Sequence, residues 1–230
     1  MCELLAVTVP ESAPPLQMDT ILLWSRQMDE WGLAGYGWGM VWVQDDDLHR
    51  YRSVAGIRND PVASQVLPRI VTRRLFVHVR RPSLMTNMSH VDAQPYLDQD
   101  AGLAFAHNGY LAGHQELRPR YQAHLTGRSD SEVGFQLWLE GMRDGSSPEA
   151  ALIAVHDKLG GQANFMTMAR DGQILAYAGN VENAVYRFRI GDWSIAATSL
   201  HSFDRFVFET IFPDAVDIEP VAAKSVVAMP

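Results

Sequence analysis

Residues 1–9 of the chain read Met-Cys-Glu-Leu-Leu-Ala-Val-Thr-Val, so that a mostly apolar stretch directly follows Cys2. Residues 2–9 are rich in β-forming side chains, and a loop at residues 10–15 with proline at both ends closes the strand. Cys2 is the only cysteine in 230 residues, so an internal disulfide and a cysteine-built zinc site are both excluded. We therefore expect a fold that packing alone holds together, in which the position of Cys2 carries information.

Antiparallel strand patterns and helices alternate along the rest of the chain. Residues 18–31 carry apolar side chains at helical spacing, and Ser129-Asp130-Ser131-Glu132 matches a capping box, which predicts a helix to about Arg143. Asn59-Asp60-Pro61 and Ser147-Pro148 predict two more helix starts. This mixture favours an α+β sandwich over a doubly wound sheet. Further strands are predicted at residues 36–43, 48–54, 75–79, 103–106, 163–169, 173–178, 184–190 and 193–198, the last four as one meander of hairpins.

Charge and composition exclude several classes of partner. The formal net charge of −8 opposes binding to nucleic acid or to an anionic membrane surface, because both need clustered Lys and Arg. No apolar stretch approaches the ~18 residues that span a bilayer, and no secretion signal is recognisable, so we expect a cytoplasmic protein without membrane attachment. Repeats and flexible linkers are also lacking, and we expect one domain over residues 1–230.

Five residues are candidates for a shared site. Taken singly, each has a structural interpretation: Cys2 as a small buried hydrophobe, Asn108-Gly109 as a type I′ turn, Arg80 as a solvated strand end, and Asp130 as a helix-start residue. Their order favours a site instead. Cys2 is followed by a strand that ends at Arg80, a strand that leads into Asn108, and a helix that opens with Asp130.

In this order the motifs resemble the class II glutamine amidotransferase domains, which are amino-terminal-nucleophile hydrolases that begin with Met-Cys. They look most similar to the small stand-alone members. The opening residues 1–5 and Gly37-Trp38-Gly39 match that group too, and the named motifs cover roughly the first 145 residues. The resemblance implies a four-layer αββα sandwich with two mainly antiparallel sheets, and it implies no cofactor.

The resemblance also implies a role for each of the five candidate residues. Cys2, freed at its amino group by removal of Met1, would attack the γ-amide of glutamine or of a γ-glutamyl compound, with its own α-amine as base. The side-chain amide of Asn108 and the N–H of Gly109 would receive the charge that develops on oxygen. Arg80 and Asp130 would bind the α-carboxylate and α-ammonium of the substrate. The expected reaction releases ammonia or an amine through a thioester on Cys2.

Two alternatives remain open on the sequence. Besides the hydrolase, the sequence is compatible with a glutaminase subunit that delivers ammonia to a separate synthetase, and with a catalytically silent protein that binds a γ-glutamyl compound. A synthetase partner and a homo-oligomer are both compatible with the sequence. A metal is not expected, because the chain's histidines lack HExxH spacing and several lie near strand ends; those considered are His78, His90, His107 and His114.

Two departures from the family pattern concern the predicted pocket. The usual Asn-X-His-Pro-Phe stands here as Asp92-Ala93-Gln94-Pro95-Tyr96, and the Asp usual before Gly-Trp-Gly is Tyr36. Because the first motif helps to shape the pocket wall, the changed residues predict an altered active-site loop. The γ-glutamyl substrate is therefore left open.

Overall fold

The computed structural model describes residues 2–32, 34–82, 88–201 and 205–230. Within these ranges the chain forms twelve strands and six α-helices, joined by turns and short 3-10 helices. No helix in the described ranges is both long enough and apolar enough to cross a bilayer. The strands are β1 (Glu3–Thr8), β2 (Trp38–Gln44), β3 (Asp47–Ser53), β4 (Arg74–Val79), β5 (Tyr96–Asp98), β6 (Leu103–Leu111), β7 (Gly161–Ala169), β8 (Ile174–Ala178), β9 (Val185–Ile190), β10 (Trp193–Thr198), β11 (Val216–Pro220) and β12 (Ser225–Met229). The helices are α1 (Met18–Trp31), α2 (Pro61–Gln65), α3 (His114–Tyr121), α4 (Asp130–Arg143), α5 (Pro148–Leu159) and α6 (Phe206–Ile211).

The strands form two antiparallel sheets. The first has the order β11-β9-β10-β1-β4-β2-β3, and the second has the order β12-β8-β7-β6-β5. Leu4 and Phe76 of the first sheet and Ala106 and Met166 of the second belong to one buried cluster between the sheets. A second cluster packs α1, α2 and α6 against the outer face of the first sheet, and a third packs α4 and α5 against the outer face of the second. The predicted four-layer α+β sandwich is confirmed.

The local predictions were most accurate where the periodicity was strong or a cap was present. The bounds of α1 agree with the predicted helix, and α4 ends at Arg143 as expected. Asp60 caps α2 by accepting from the N–H of Val62 at 2.9 Å, and Ser147 caps α5 by accepting from the N–H of Ala150 at 3.2 Å. Caps of this kind satisfy amide groups that have no partner inside the helix.

Two strand predictions were wrong. The four strands expected as one meander divide between the sheets, because β7 and β8 pair in the second sheet whereas β9 and β10 pair in the first. The strand expected at residues 103–106 continues to Leu111, so that Asn108 and Gly109 lie inside a β-strand and not in a turn. The sequence pattern also missed α3, α6, β5, β11 and β12.

Phe105 tests the core beneath the second sheet. Its buried ring lies 5.2 Å from the ring of Phe165 and 5.8 Å from that of Phe135, measured between centroids. Phe105→Ala leaves a cavity there and is expected to lower the free energy of unfolding by about 3–5 kcal/mol in urea denaturation. The control Val66→Ala removes a side chain that is 54% exposed and should change this free energy by less than about 0.5 kcal/mol. Equal effects of the two variants would contradict the packing described.

Candidate active site

Side-chain alternation brings three of the candidate residues to the space between the sheets. Leu4 pairs with His78 across β1 and β4, so extending the register places Cys2 opposite Arg80, on the same face as Leu4. On β6, Asn108 shares the inner face with Ala106. The Asn108 side-chain amide Nδ2 donates a hydrogen bond to the main-chain oxygen of Cys2. The two sheets are thus joined at the predicted nucleophile.

The Cys2 thiol is half-buried and contacts main-chain atoms. Its Sγ lies 3.4 Å from the amide N and 3.5 Å from the carbonyl O of Arg81. Burial raises the pKa of the thiol, although the Arg81 N–H and the charge of Arg80 act in the opposite direction. Within the described parts of the chain, no histidine or carboxylate forms a hydrogen bond with Sγ. A thiol with a raised pKa is mostly protonated at neutral pH, so attack by this sulfur requires a base.

Gly109 occupies a position that only glycine can take. Its φ is +134°, and a Cβ on this residue would lie 1.9 Å from the carbonyl O of Gln162 on β7. The strands β6 and β7 therefore approach closely where Gly109 pairs with Ala163. This observation replaces the type I′ turn as the structural reason for the glycine.

Arg80 is a buried cation. It is 3% exposed, and its guanidinium Nη1 donates to the carbonyl O of Ser89 at 3.4 Å. Its main-chain N–H donates to the O of Gly37 at 2.9 Å, and its O accepts from the N–H of Tyr36 at 3.2 Å. The segment that contains the Gly-Trp-Gly motif therefore fixes the main chain of Arg80 beside Cys2. The alternative of a solvated strand end does not hold.

Asp130 lies at the start of α4. Its carboxylate oxygen Oδ2 accepts from the N–H of Leu111 at 2.8 Å and lies 4.0 Å from His107 Nδ1, which ties the helix to β6 just beyond Gly109. Among the described contacts, none joins Asp130 directly to Cys2. The structure thus groups Cys2, Arg80, Asn108 and Gly109, and sets Asp130 at the adjoining helix start.

The altered loop connects the elements of the site. Asp92 Oδ1 accepts from the N–H groups of Arg128 at 2.6 Å and Ser129 at 2.9 Å. Gln94 Oε1 accepts from the N–H of His107 at 2.6 Å, and Gln94 Nε2 donates to Ser131 Oγ at 3.0 Å. The residues that depart from the family motif therefore hold β6 and the start of α4 together.

The predicted capping box is half correct. Ser129 Oγ accepts from the N–H of Ser131 at 3.1 Å, as expected for an N-cap. Glu132 does not return to the N–H of Ser129. Its carboxylate accepts instead from the N–H groups of Thr126 and Gly127, each at 2.8 Å, because Asp92 already occupies the Ser129 amide.

His78 on β4 and His107 on β6 are buried, and burial favours the neutral form of both imidazoles. Burial, with the charge of Arg80 as a smaller cause, lowers the pKa of His78 to about 3. Burial also lowers the pKa of His107, against the opposing charge of Asp130. In the described ranges no group of three or more His, Cys, Asp or Glu side chains could hold a metal ion.

Sequence reasoning missed a buried polar network behind Asn108. The amide Oδ1 of Asn108 accepts from Asn164 Nδ2 at 3.0 Å, and Asn164 Nδ2 also donates to the main-chain O of Asn183 at 2.7 Å. Asn183 Nδ2 donates to Glu3 Oε2 at 2.9 Å, and Thr198 Oγ1 donates to the same oxygen at 2.5 Å. Burial raises the pKa of Glu3 to about 7, against these hydrogen bonds. The available signal was a carboxylate placed between Cys2 and the apolar run Leu4-Leu5-Ala6-Val7.

The two facing antiparallel sheets, with Cys2 at the start of the central strand of the first, have the arrangement expected for an amino-terminal-nucleophile hydrolase. A family model of the class II glutamine amidotransferases matches residues 1–189. The chain therefore belongs to the class II glutamine amidotransferase family. No curated protein sequence is significantly similar to it.

Similar solved structures include an enzyme about twice as long as this chain. The glutamine phosphoribosylpyrophosphate amidotransferase from B. subtilis has a TM-score of 0.73 at 17% identity, and the match covers 99% of this chain and 49% of that one. A glutamine aminotransferase class-II domain protein from Silicibacter pomeroyi has a TM-score of 0.62 at 15% identity, covering 99% and 98%. A predicted glutamine amidotransferase from Pseudomonas aeruginosa PA01 has a TM-score of 0.56 at 15% identity, covering 99% and 96%. At these identities the likeness shows the fold.

Glu3 predicts a measurable pH dependence of stability. Its folded-state pKa of about 7 lies above the ordinary value of 4.5, so folding favours the protonated form. This contribution is complete below about pH 4.5 and is lost as the pH rises through about 7. Glu3→Gln keeps an oxygen acceptor for Asn183 and Thr198 but cannot ionise. We expect the free energy of unfolding of the wild type to fall by up to about 3 kcal/mol relative to the variant over this window.

Urea denaturation at a series of pH values measures this difference. The control Asp100→Asn removes an exposed carboxyl and should give a difference that is flat over the same window. A flat difference for Glu3→Gln as well would mean that Glu3 does not titrate in the folded protein as described.

Proposed function

We propose that the chain hydrolyses the γ-amide of glutamine or of a γ-glutamyl compound through a thioester on Cys2, releasing ammonia or an amine. One observation carries the proposal. The side-chain amide of Asn108 donates to the main chain of Cys2, so that an amide donor lies beside the sulfur, next to the buried cation Arg80. Membership of the glutamine amidotransferase family supports the same chemistry.

The first half of the reaction requires a base, because the pKa of the Cys2 thiol is raised. Removal of Met1, which lies outside the described residues, gives Cys2 a free α-amine that accepts the thiol proton. The sulfur then attacks the γ-carbonyl carbon, and negative charge develops on the carbonyl oxygen. The amide Nδ2 of Asn108 carries two N–H groups, one for the Cys2 main chain and one for this oxygen, and Gly109 N–H provides a second donor.

The second half restores the thiol. The protonated amine transfers its proton to the departing nitrogen as the carbon–nitrogen bond breaks, which leaves a γ-glutamyl thioester on Cys2. Water then gives a proton to the amine and attacks the thioester carbon. The carbon–sulfur bond breaks, the sulfur recovers its proton, and glutamate leaves.

Charge complementarity assigns the substrate-binding residues. The Arg80 guanidinium, buried on the inner face beside Cys2, pairs with the α-carboxylate of the substrate. Asp130 pairs with the α-ammonium from the start of α4, where its second oxygen is fixed by the Leu111 N–H. The α-carboxylate and the α-ammonium of the substrate each need an opposite charge when binding removes them from water.

A glutaminase subunit that passes ammonia to a synthetase is the second candidate. The chain spans about half the length of the B. subtilis amidotransferase. Against this, the chain spans nearly all of two other similar proteins. Full turnover by the isolated chain would favour independent action, whereas stimulation by a co-purifying synthetase would favour the subunit.

Intact-mass spectrometry after brief incubation with glutamine tests the thioester. We expect a wild-type chain that lacks Met1 and carries an added glutamyl group, and glutamate release that Cys2→Ala abolishes. Cys2→Ser keeps a nucleophilic oxygen of similar size and should lose most of the rate while retaining the fold, as circular dichroism would show. Unchanged glutamate release by Cys2→Ala, or full activity with Met1 retained, would exclude the mechanism.

Asp130→Asn tests the binding of the α-ammonium. The variant keeps an oxygen that accepts from the Leu111 N–H but loses the negative charge. We expect KM for glutamine to rise at least about 10-fold with kcat nearly unchanged, because the lost ion pair acts on substrate binding. Asp144→Asn, an exposed residue at the other end of the same helix, is the control and should leave both constants unaltered. A fall in kcat alone would remove Asp130 from this role.

A further inference from the structure

Asn164 makes every hydrogen bond that its side chain can make while buried. Its Oδ1 accepts from the main-chain N–H groups of Gly179 at 3.1 Å and Asn180 at 3.0 Å. Its Nδ2 donates to Asn108 Oδ1 at 3.0 Å and to the main-chain O of Asn183 at 2.7 Å. The side chain is 0% exposed, and Asn164 pairs directly with Asn108 across β7 and β6.

The main chain fixes the orientation of this amide. An N–H group can only donate, so the end of Asn164 that faces Gly179 and Asn180 must be its oxygen. The opposite end must then be the NH₂ group, which can only donate to Asn108. Asn108 therefore presents its oxygen to Asn164 and its own NH₂ group to Cys2. Reversing Asn108 would place two NH₂ groups face to face.

We propose that Asn164 is a positioning residue that holds the Asn108 amide with its N–H groups toward Cys2. The proposal rests on the proposed function for its catalytic consequence, since an oxyanion is stabilised by N–H groups and repelled by an amide oxygen. Asn164 touches neither Cys2 nor the substrate in this scheme. It acts through Asn108: the two main-chain N–H groups orient the Asn164 amide, and the Asn164 NH₂ group in turn orients the Asn108 amide.

Asn164→Asp is the decisive substitution, because it is isosteric and changes only the donor end. One carboxylate oxygen keeps the N–H groups of Gly179 and Asn180, and the other replaces the NH₂ group that faces both Asn108 Oδ1 and the main-chain O of Asn183. An ionised carboxylate there attracts the NH₂ group of Asn108 and reverses that amide, so that its oxygen turns toward Cys2. We expect kcat for the γ-amide to fall by ~10²–10³, the loss typical of one oxyanion donor, with KM little changed.

The pH profile separates orientation from a general structural effect. A protonated carboxyl can donate its single hydrogen to Asn108, whereas the second bond of the wild-type amide, to Asn183 O, is lost in both forms of the variant. The ratio of wild-type to variant kcat should therefore rise as the carboxyl ionises between about pH 6 and about pH 9. Glu3, joined to the network through Asn183, also titrates in this range, so both proteins are compared in a Glu3→Gln background. A ratio near one over the whole range would overturn the proposal.

Three further variants control for the chemical change and identify the pathway. Asn59→Asp makes the same substitution at an exposed residue outside the network, and it should retain kcat. Asn108→Ala and the double variant Asn108→Ala with Asn164→Asp should have equal kcat, because Asn164 has nothing left to orient. If the two losses multiply, Asn164 acts by another route and the proposal fails.

A measurement without turnover distinguishes failure here from failure of the proposed function. The side-chain amide resonance of Asn108, identified by its absence in Asn108→Ala, should shift in Asn164→Asp and stay unchanged in Asn59→Asp. An unchanged resonance in Asn164→Asp overturns the positioning role even if activity is lost. A wild type inactive on all γ-glutamyl amides, combined with a shifted resonance, would exclude the proposed function and leave the positioning role supported.

Discussion

The hydrogen bond from the Asn108 amide to the main chain of Cys2 is the contact on which the site depends, because it joins β6 of the second sheet to the start of β1 in the first. Cys2 enters the central strand of the first sheet, and Asn108 lies within a central strand of the second. The apolar cluster between the sheets fixes their separation, since small alanines on β6 face Leu4 and Ala6 on β1. The packing of the core therefore sets the distance between a sulfur and an amide that are 106 residues apart in sequence.

Burial has two opposite uses in this region. It raises the pKa of the Cys2 thiol and of the Glu3 carboxyl, and so disfavours both anions in the resting protein. It also strengthens each hydrogen bond in the network behind Asn108, because no water competes for those groups. A developing oxyanion would meet donors already oriented by the fold, whereas the resting thiol stays protonated. On the proposed mechanism, the same environment therefore keeps the Cys2 thiol protonated at rest and favours the charged intermediate.

The sequence predicted the sandwich and the bounds of α1 and α4. The helix bounds were predictable because the apolar periodicity and the N-cap Ser129 are local signals, each contained within a few helical turns. Strand patterns identified β7 to β10 but not their division between two sheets, since a period of two does not say which sheet a strand joins. Helix α3 escaped detection because it has an internal Pro119 and a mostly polar surface. Helix α6 is only six residues long, and β11 lies largely exposed.

The site shows the same division. Cys2, Arg80 and Asn108 were recognisable from motifs that each occupy a few neighbouring residues. Asn164 and Glu3 were not recognisable, because they join the site through hydrogen bonds to Asn108 and Asn183, which lie 56 and 180 positions away in the sequence.

Main-chain and side-chain contacts contribute differently to the site. On the proposed positioning role, the orientation of the Asn108 amide comes, through Asn164, from main-chain N–H groups of Gly179 and Asn180. The loop beside the site is held by side chains, with Gln94 bridging β6 and α4 where the family pattern has histidine. Gln94 accepts from the main-chain N–H of His107 and is not bonded to the buried imidazole of His107. Substitutions in this loop therefore act on the main chain of β6 next to Asn108 and on the start of α4, where Asp130 lies. On the proposed function, the loop thus influences both the oxyanion donor and the residue that binds the α-ammonium.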